Sequence, residues 1–269
     1  MAVKKKMIPL IGLGTWELKG QECIDVVSEA LELGYRHIDT ALSYENHPYI
    51  AKALPLVPRD EIFLSTKIHL EDIDFNNVKA SVFTLCHRCL NELKVEYLDL
   101  LIIQAPDHEL PMEKVIFAME RLRDQGKVRY IGVSNFTVHH MMDLLRHEAY
   151  FAFNQVEFHP YLNQKMLLEF CAMNHIQLIA YRPLGKSRIL TDPVIEFLAK
   201  KYQKSQAQIV LRWLLEKKVP AIPKATSKKH LKENLELYDF SLTAEDMILM
   251  DALNRNIRYC MSDFAEFGY

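Results

Sequence analysis

The chain has 269 residues, of which 49% are hydrophobic and 25% charged, and its formal net charge is −2. These are ordinary values for a globular protein, and they exclude a disordered, collagen-like or fibrous chain. The absence of a basic excess gives no reason to expect binding to nucleic acid or to a membrane, and no apolar run approaches the roughly 18 residues of a membrane span.

The N-terminal segment is basic over residues 1–6 and apolar over residues 7–13. A signal peptide is the alternative interpretation, but the apolar run is short, contains Pro9 and Gly12, and is followed by no small-residue cleavage site. We predict a short β-hairpin instead. The five cysteines are odd in number and scattered, which predicts reduced thiols in a cytoplasmic protein. Cys86 and Cys89 form a CxxC pattern on a predicted helix, where positions three apart share a face, so we interpret them as structural.

Short apolar runs alternate with amphipathic stretches along the chain. The runs have the length and content of buried parallel strands and cover residues 10–13, 36–40, 62–67, 97–104, 128–134, 152–157, 177–182 and 219–224. The amphipathic stretches, most with helical spacing, cover residues 22–33, 49–54, 75–93, 112–125, 138–146, 165–174, 194–217 and 228–237. The stretch 194–217 is long enough for two helices. A last helix over 243–253 begins with a capping box formed by Thr243 and Asp246.

Eight strand–helix units predict an α/β protein whose strands close into a (β/α)8 TIM barrel, with the N-terminal β-hairpin and a C-terminal extra helix. We expect residues 1–269 to form a single domain. The competing architecture is an open, doubly wound sheet with a dinucleotide fingerprint after its first strand. Gly12 and Gly14 begin such a fingerprint, but Glu17 stands at the third glycine, so this signal is weak.

Polar side chains close most of the predicted strands: Asp39, Lys67, Gln104, Ser134, Asn135, Gln155, Glu157, Tyr181 and Lys224. The C-terminal ends of barrel strands carry the chemistry of this fold. A buried lysine is costly unless it is paired, and paired charges in clefts are enriched at functional sites, so Asp39 and Lys67 are predicted to form a functional pair. Tyr44 follows on a loop, where an ordinary packed aromatic is the alternative.

These residues resemble the aldo-keto reductase superfamily over essentially the whole chain. The matching motifs occur in order at residues 12–16, 34–41 with Tyr44 following, 65–67, 97–100, 126–129, 131–136, 154–161 and 222–224. The short tail after Leu253 resembles that of bacterial members such as the 2,5-diketo-gluconate reductases.

The resemblance implies an oxidoreductase that transfers a hydride from NADPH to a carbonyl. Tyr44 would donate the proton to the nascent alkoxide, Lys67 would lie beside it, and Asp39 would pair with Lys67. A free tyrosine has a pKa near 10, and an adjacent ammonium lowers it. We therefore expect a lowered pKa for Tyr44.

The resemblance also implies a set of cofactor contacts. Ser134, Asn135 and Gln155 would hydrogen-bond the nicotinamide carboxamide, and Tyr181 would stack on the ring. The other residues that the resemblance assigns to the cofactor are Leu184 and Gly185 near the pyrophosphate, Lys224, Thr226 and His230 near the 2′-phosphate, Glu233 and Asn234 near adenine, and Thr15, for which no part of the cofactor is specified.

The sequence departs from the family at three positions of consequence. Gln104 stands where the family has a histidine that orients and polarises the carbonyl; its amide can donate a hydrogen bond but carries no charge. We expect a slower reductase, or one with an unusual substrate. Ala105 replaces an aromatic residue and is predicted to widen a pocket walled by Trp16, favouring bulky carbonyls. His230 replaces an arginine, which weakens discrimination by the 2′-phosphate, but Lys224 remains, so we still expect NADPH to be preferred with NADH as a weaker cofactor.

Three functions are weighed against one another. The first is an NADPH-dependent carbonyl reductase. The second is an NADP(H)-binding protein of low or no turnover, suggested by Gln104. The third is a Schiff-base lyase that uses Lys67. The expected partner is a small carbonyl compound; we expect a monomer and no metal.

Overall fold

The computed structural model describes residues 7–260 and 266–268. In these residues seven parallel strands follow one another in chain order: Leu13–Gly14 (β1), His37–Asp39 (β2), Phe63–Ile68 (β3), Leu98–Ile103 (β4), Val128–Ser134 (β5), Phe153–Glu157 (β6) and Gln177–Tyr181 (β7). The helices of the same residues are Gly20–Leu33 (α1), His47–Ala53 (α2), Val78–Leu93 (α3), Met112–Asp124 (α4), Val138–Arg146 (α5), Lys165–Met173 (α6), Pro193–Tyr202 (α7), Gln206–Glu216 (α8), Lys228–Leu235 (α9) and Ala244–Asp251 (α10).

The predicted eighth strand, over residues 219–224, is reduced to a single bridging residue. Ala221 pairs in parallel with Ala180 of β7 on one side and with Ile11 on the other. The physical reason is that Pro220 and Pro223 flank it, and a proline has no N–H to extend a strand ladder. The ring of strands is therefore nearly closed. The predicted parallel α/β barrel is confirmed with seven strands in the described residues, and the prediction of eight strands is not.

The predicted N-terminal hairpin is not found between residue 7 and β1. The backbone there pairs in parallel instead: Gly12 N–H donates to the carbonyl of Ala221, and Leu13 is in register with Ile38 of β2. Because both edges of this segment are taken by barrel partners, it has no free edge for a hairpin. The part of that prediction covering residues 1–6 lies outside the described residues.

The predicted helix boundaries after β7 agree with the structure. The stretch 194–217 is divided into α7 and α8, and the capping box at Thr243 begins α10. Cys86 and Cys89 lie buried on one face of α3, where burial raises the pKa of each thiol to about 12. All five cysteines are free thiols. Among the described residues, no helix is both long and apolar enough to cross a bilayer.

Alternation along the strands produces two apolar layers. A small cluster inside the barrel consists of Phe63, Leu100, Ile102, Phe153, Ile179 and Ile222, and the larger core lies between the strands and the helices. Side chains two positions apart share a face of a strand. Phe63, Ser65 and Lys67 therefore belong to the inner face of β3, and the same periodicity puts Asp39 on the inner face of β2. The inner layer is apolar at the start of the strands and polar at their C-terminal ends.

Candidate active site

A cavity of about 480 Å³ opens at the C-terminal ends of the strands. Eleven of the residues predicted from the sequence line it: Thr15, Trp16, Asp39, Tyr44, Lys67, Gln104, Ser134, Asn135, Gln155, Tyr181 and Lys224. They come from strand ends that are far apart in sequence, and the barrel brings them to one rim. The cavity is also lined by residues that the sequence reading did not assign to a site, including Ser43, Lys186, Tyr259 and Cys260.

The floor of the cavity holds a buried ion pair between Lys67 and Asp39. Lys67 Nζ lies 2.5 Å from one carboxylate oxygen of Asp39 and donates to the Thr40 carbonyl at 2.9 Å. The other Asp39 oxygen accepts from Ser65 Oγ at 2.7 Å and from Gln155 Nε2 at 2.8 Å. Burial lowers the pKa of Lys67, but the charges and hydrogen bonds of Asp39 and Tyr44 together outweigh burial, and the pKa ends above its usual value. The ammonium is thus held charged and oriented.

Tyr44 lies beside this pair, in the 3-10 turn Leu42–Tyr44 that follows β2. Lys67 Nζ is 5.2 Å from the centre of the Tyr44 ring. Burial raises the pKa of Tyr44, and the ammonium of Lys67 lowers it by less, so the net pKa lies above the ordinary value. The expectation of a lowered pKa was therefore wrong in sign, because desolvation of the phenolate exceeds the attraction of the neighbouring charge. The phenol keeps its proton at neutral pH.

Gln104 is placed immediately after β4, on the cavity wall. Its backbone N–H donates to the Ile68 carbonyl at 3.0 Å, and its carbonyl accepts from Asn135 Nδ2 at 3.0 Å. Its side-chain oxygen accepts from Ser43 Oγ at 3.2 Å. The residue that replaces the expected histidine is therefore held in the cavity wall by its neighbours on both sides.

The residues assigned to the nicotinamide form one connected network. Tyr181 donates through its hydroxyl to Asn135 Oδ1 at 2.7 Å, and Asn135 Nδ2 lies 3.3 Å from Ser134 Oγ. Ser134 Oγ donates to the Gln155 carbonyl at 2.8 Å. Asn135 has φ of 64°, in the left-handed region that asparagine tolerates better than most residues. The network presents amide and hydroxyl groups along one side of the cavity.

The outer part of the cavity is positively charged. Arg182, Lys186 and Lys224 line it, whereas its lining carboxylate, Asp39, is already neutralised by Lys67. Arg182 stacks over the Trp16 ring at 5.1 Å, and Lys224 forms an ion pair with Glu17 at 3.3 Å. A ligand with an amide-bearing ring at one end and phosphates at the other matches this distribution, as a nicotinamide dinucleotide does.

The other seven predicted site residues do not line the cavity: Ala105, Leu184, Gly185, Thr226, His230, Glu233 and Asn234. Ala105 is buried and does not line the cavity. The effect of its small side chain on the width of the substrate pocket therefore stays a prediction. Leu184 packs against the core, and Gly185 lies against Ile189 and Tyr259. Thr226 and His230 are exposed. Those two residues lie close in sequence to Lys224, on the segment that leads into α9 and in its first turn.

The C-terminal tail supplies lining residues that sequence reasoning missed. Glu157, buried at the end of β6, accepts through its carboxylate from the backbone N–H groups of Tyr259 at 2.7 Å and Cys260 at 2.6 Å. His159 lies 2.9 Å from the same carboxylate. The sequence singles out Glu157 only as one of the polar residues that close predicted strands. An acidic residue at the end of a buried strand indicates that the carboxylate has a hydrogen-bonding partner, but nothing in the sequence shows that this partner is the tail.

A second polar cluster holds the tail further on. Glu266 accepts from the His108 backbone N–H at 2.9 Å, and its carboxylate lies 2.5 Å from His108 Nδ1. The Thr137 N–H donates to Nδ1 of His140, so His140 Nε2 carries the proton that is directed at Glu266 at 2.9 Å. The contact of His108 is thus with the tail rather than with the cavity.

Comparison with known proteins assigns the chain to a described family. The model of the Aldo/keto reductase family matches residues 10–255. The chain is 38% identical over 255 residues to a glyoxal reductase of Bacillus subtilis, covering 93% of this chain and 91% of that protein. It is 38% identical over 258 residues to a 9,11-endoperoxide prostaglandin H2 reductase of Trypanosoma cruzi, covering 93% and 89%.

Solved structures of aldo-keto reductases have the same fold as this chain. An aldo-keto reductase from a deep-sea metagenome library superimposes with a TM-score of 0.90 at 34% identity, covering 96% of both chains. The aldose reductase of Schistosoma japonicum superimposes with a TM-score of 0.89 at 31% identity, covering 97% of this chain and 96% of that one.

Proposed function

This chain belongs to the aldo/keto reductase family of oxidoreductases, and from that premise we propose that it reduces aldehydes and ketones to alcohols with NADPH, using Tyr44 as the proton donor. The observation that carries the proposal is the placement of Tyr44 beside the buried pair of Lys67 and Asp39 at the floor of an open cavity.

The chemistry follows from what each side chain does. NADPH held along Ser134, Asn135 and Gln155 would supply the hydride for the carbonyl carbon, leaving the carbonyl oxygen to be protonated by the chain. Tyr44, whose pKa burial holds above its usual value, donates its proton to that oxygen. Lys67 remains an ammonium because of Asp39, and it stabilises the phenolate left behind.

Recognition of NADPH is assigned to three regions of the site. Ser134, Asn135 and Gln155 would meet the carboxamide, and Tyr181 would stack on the ring. Arg182 and Lys186 would face the pyrophosphate, and Lys224 with Thr226 the 2′-phosphate. Because Lys224 offers a positive charge to the 2′-phosphate, we propose NADPH as the preferred cofactor; histidine in place of arginine at position 230 weakens the discrimination, so NADH is proposed as a weaker cofactor.

For the substrate, we propose small carbonyl compounds that include α-dicarbonyls and keto-sugars. The similarity to a glyoxal reductase supports the first of these classes, and the keto-sugars extend it to other carbonyl compounds of similar chemistry.

A dinucleotide-binding protein with little turnover is the second candidate, because Gln104 carries no charge at the carbonyl position. The third, a Schiff-base lyase, needs a neutral amine, and the raised pKa of Lys67 counts against it.

Consumption of NADPH tests the proposal. We expect the wild type to oxidise NADPH in the presence of methylglyoxal, glyoxal, keto-sugars or benzaldehydes, and Tyr44→Phe to lose at least about a hundredfold in kcat. Tyr44→Phe should still bind NADPH, as followed by quenching of protein fluorescence. Binding of NADPH by the wild type without any consumption across the panel would instead establish the low-turnover binding protein.

A further inference from the structure

Ser43 lines the cavity next to Tyr44, yet the mechanism above does not use it. Its side chain is exposed to the cavity and donates through Oγ to the side-chain oxygen of Gln104 at 3.2 Å. The contact joins the turn that carries Tyr44 to the residue that follows β4. The inference drawn from it rests on the proposed function.

The backbone of Gln104 is already fixed from two sides. Its N–H is bound to the Ile68 carbonyl at the end of β3, and its carbonyl is bound to the Asn135 amide beyond β5. The direction of the side-chain amide is the remaining variable. Without a partner, a glutamine side chain samples several rotamers and presents either its oxygen or its NH₂ to a ligand.

The structure shows one of these two presentations, with the Ser43 hydroxyl donating to Oε1 at 3.2 Å. With Oε1 occupied by the Ser43 hydroxyl, Nε2 is the end of the amide that remains for the cavity. No acceptor for Nε2 lies within hydrogen-bond distance among residues 7–260 and 266–268. A donor that lines the cavity without an acceptor of its own is suited to a carbonyl oxygen.

We propose that Ser43 is a positioning residue that directs the Gln104 amide N–H at the substrate oxygen, and that this neutral pair makes the enzyme selective for electron-poor carbonyls. A neutral amide polarises a carbonyl less than a group that can take up charge. More of the electrophilicity must then come from the substrate itself. Carbonyls with electron-withdrawing neighbours, such as α-dicarbonyls and nitro-substituted benzaldehydes, meet that requirement.

The positioning role is tested with a double-mutant cycle at saturating NADPH, with 4-nitrobenzaldehyde as substrate. Ser43→Ala should lower kcat/KM by about 3- to 10-fold, the worth of one hydrogen bond. Ser43→Thr keeps the hydroxyl and should stay within about twofold of the wild type. In a Gln104→Ala background, Ser43→Ala should have no further effect. Equal losses in both backgrounds would show that Ser43 acts without Gln104 and would overturn the role.

The selectivity is tested with Gln104→His over a series of para-substituted benzaldehydes. The ratio of kcat/KM for the nitro compound to that for the methoxy compound should fall at least about threefold relative to the wild type, because the histidine gives electron-rich carbonyls more assistance. The variant should also acquire an ionisation near about pH 6.5 that the wild type lacks. An unchanged or larger ratio contradicts the proposal.

The Tyr44→Phe variant distinguishes failure of the proposed reductase function from failure of the proposed role of Ser43. If the wild type reduces aldehydes and Tyr44→Phe does not, the proposed function stands and the cycle alone decides on Ser43. If the wild type reduces none of the series, both proposals fall together.

Discussion

At the scale of single residues, the balance at Tyr44 determines how the reaction responds to pH. Burial raises the pKa of the phenol and Lys67 offsets only part of that effect. Reduction requires the protonated phenol. The active form is therefore present at neutral pH and disappears only as the pH passes the raised pKa of Tyr44.

We expect kcat/KM for carbonyl reduction to show no loss attributable to Tyr44 below about pH 10, the ordinary pKa of tyrosine, and to fall above it. The measurement is a pH–rate profile at saturating NADPH. Lys67→Met removes the charge that lowers the pKa of Tyr44, so any remaining activity should keep its alkaline limit at the same pH or higher. A descending limb centred near pH 7–8 in the wild type would mean that Lys67 outweighs burial.

At the scale of elements, a cluster of charged residues at the start of β4 stabilises the fold and does not line the cavity. Asp99 is fully buried and pairs with Arg59 at 2.7 Å and Arg129 at 2.8 Å, and it accepts from the Leu64 N–H at 3.0 Å. The two guanidinium groups lie 4.2 and 4.1 Å from the centre of the Tyr97 ring. The cluster joins β3, β4 and β5.

Asp99→Asn should lower the free energy of unfolding by about 2–4 kcal/mol, because it leaves two partly buried guanidiniums without their shared carboxylate. Urea denaturation measures this. The matched control is Asp124→Asn, whose carboxylate pairs with Arg121 and Arg123 at 3.7 Å on the surface. Its change should stay below about 1 kcal/mol. Similar losses in the two variants would refute the assignment.

Glu157, at the end of β6, is expected to hold the C-terminal tail in position against the cavity. Burial raises the pKa of Glu157, but His159 and the backbone N–H groups of Tyr259 and Cys260 lower it further, so the carboxylate is ionised. In Glu157→Gln one of the two acceptor oxygens becomes an NH₂ group facing a backbone donor.

Glu157→Gln should therefore loosen the tail and raise KM for the carbonyl substrate several-fold with a smaller change in kcat, as measured by steady-state kinetics. Glu169→Gln, on the exposed face of α6, is the control and should leave KM unchanged. If Glu157→Gln reduces kcat and leaves KM intact, the tail does not form the substrate wall.

At the scale of the whole molecule, cofactor binding should appear as added stability. A ligand at 100 times its Kd stabilises a fold by about 2.7 kcal/mol, which raises Tm by about 5–10 °C for a chain of this size. We expect NADPH to give a larger shift than NADH at equal concentration.

In Lys224→Met, the rise in Tm caused by NADPH should become closer to the rise caused by NADH. In Lys232→Met, on the exposed face of α9, the difference between the two rises should be unchanged. An equal or larger shift with NADH would contradict the preference for the 2′-phosphate.

Much of the site was predictable because strands have a period of two and barrels collect strand ends. Asp39, Lys67 and Gln155 follow from that rule. The sign of the pKa shift of Tyr44 did not follow, because desolvation depends on the surrounding chain rather than on the one neighbour that a motif names. Tyr259 and Cys260 were missed because the tail has no periodic pattern. The eighth strand was predicted too long, since apolar content outweighed the two prolines that flank Ala221.

The central claim is that a hydride reaches the carbonyl carbon while Tyr44 protonates the oxygen. Its most direct test uses methylglyoxal and NADPH deuterated at C4 of the nicotinamide, in both epimers, followed by mass spectrometry of the alcohol. One epimer should give the wild-type product a single deuterium on carbon, and Tyr44→Phe should form almost no labelled product. Alcohol without deuterium from either epimer, or labelled alcohol formed equally by Tyr44→Phe, would contradict the account.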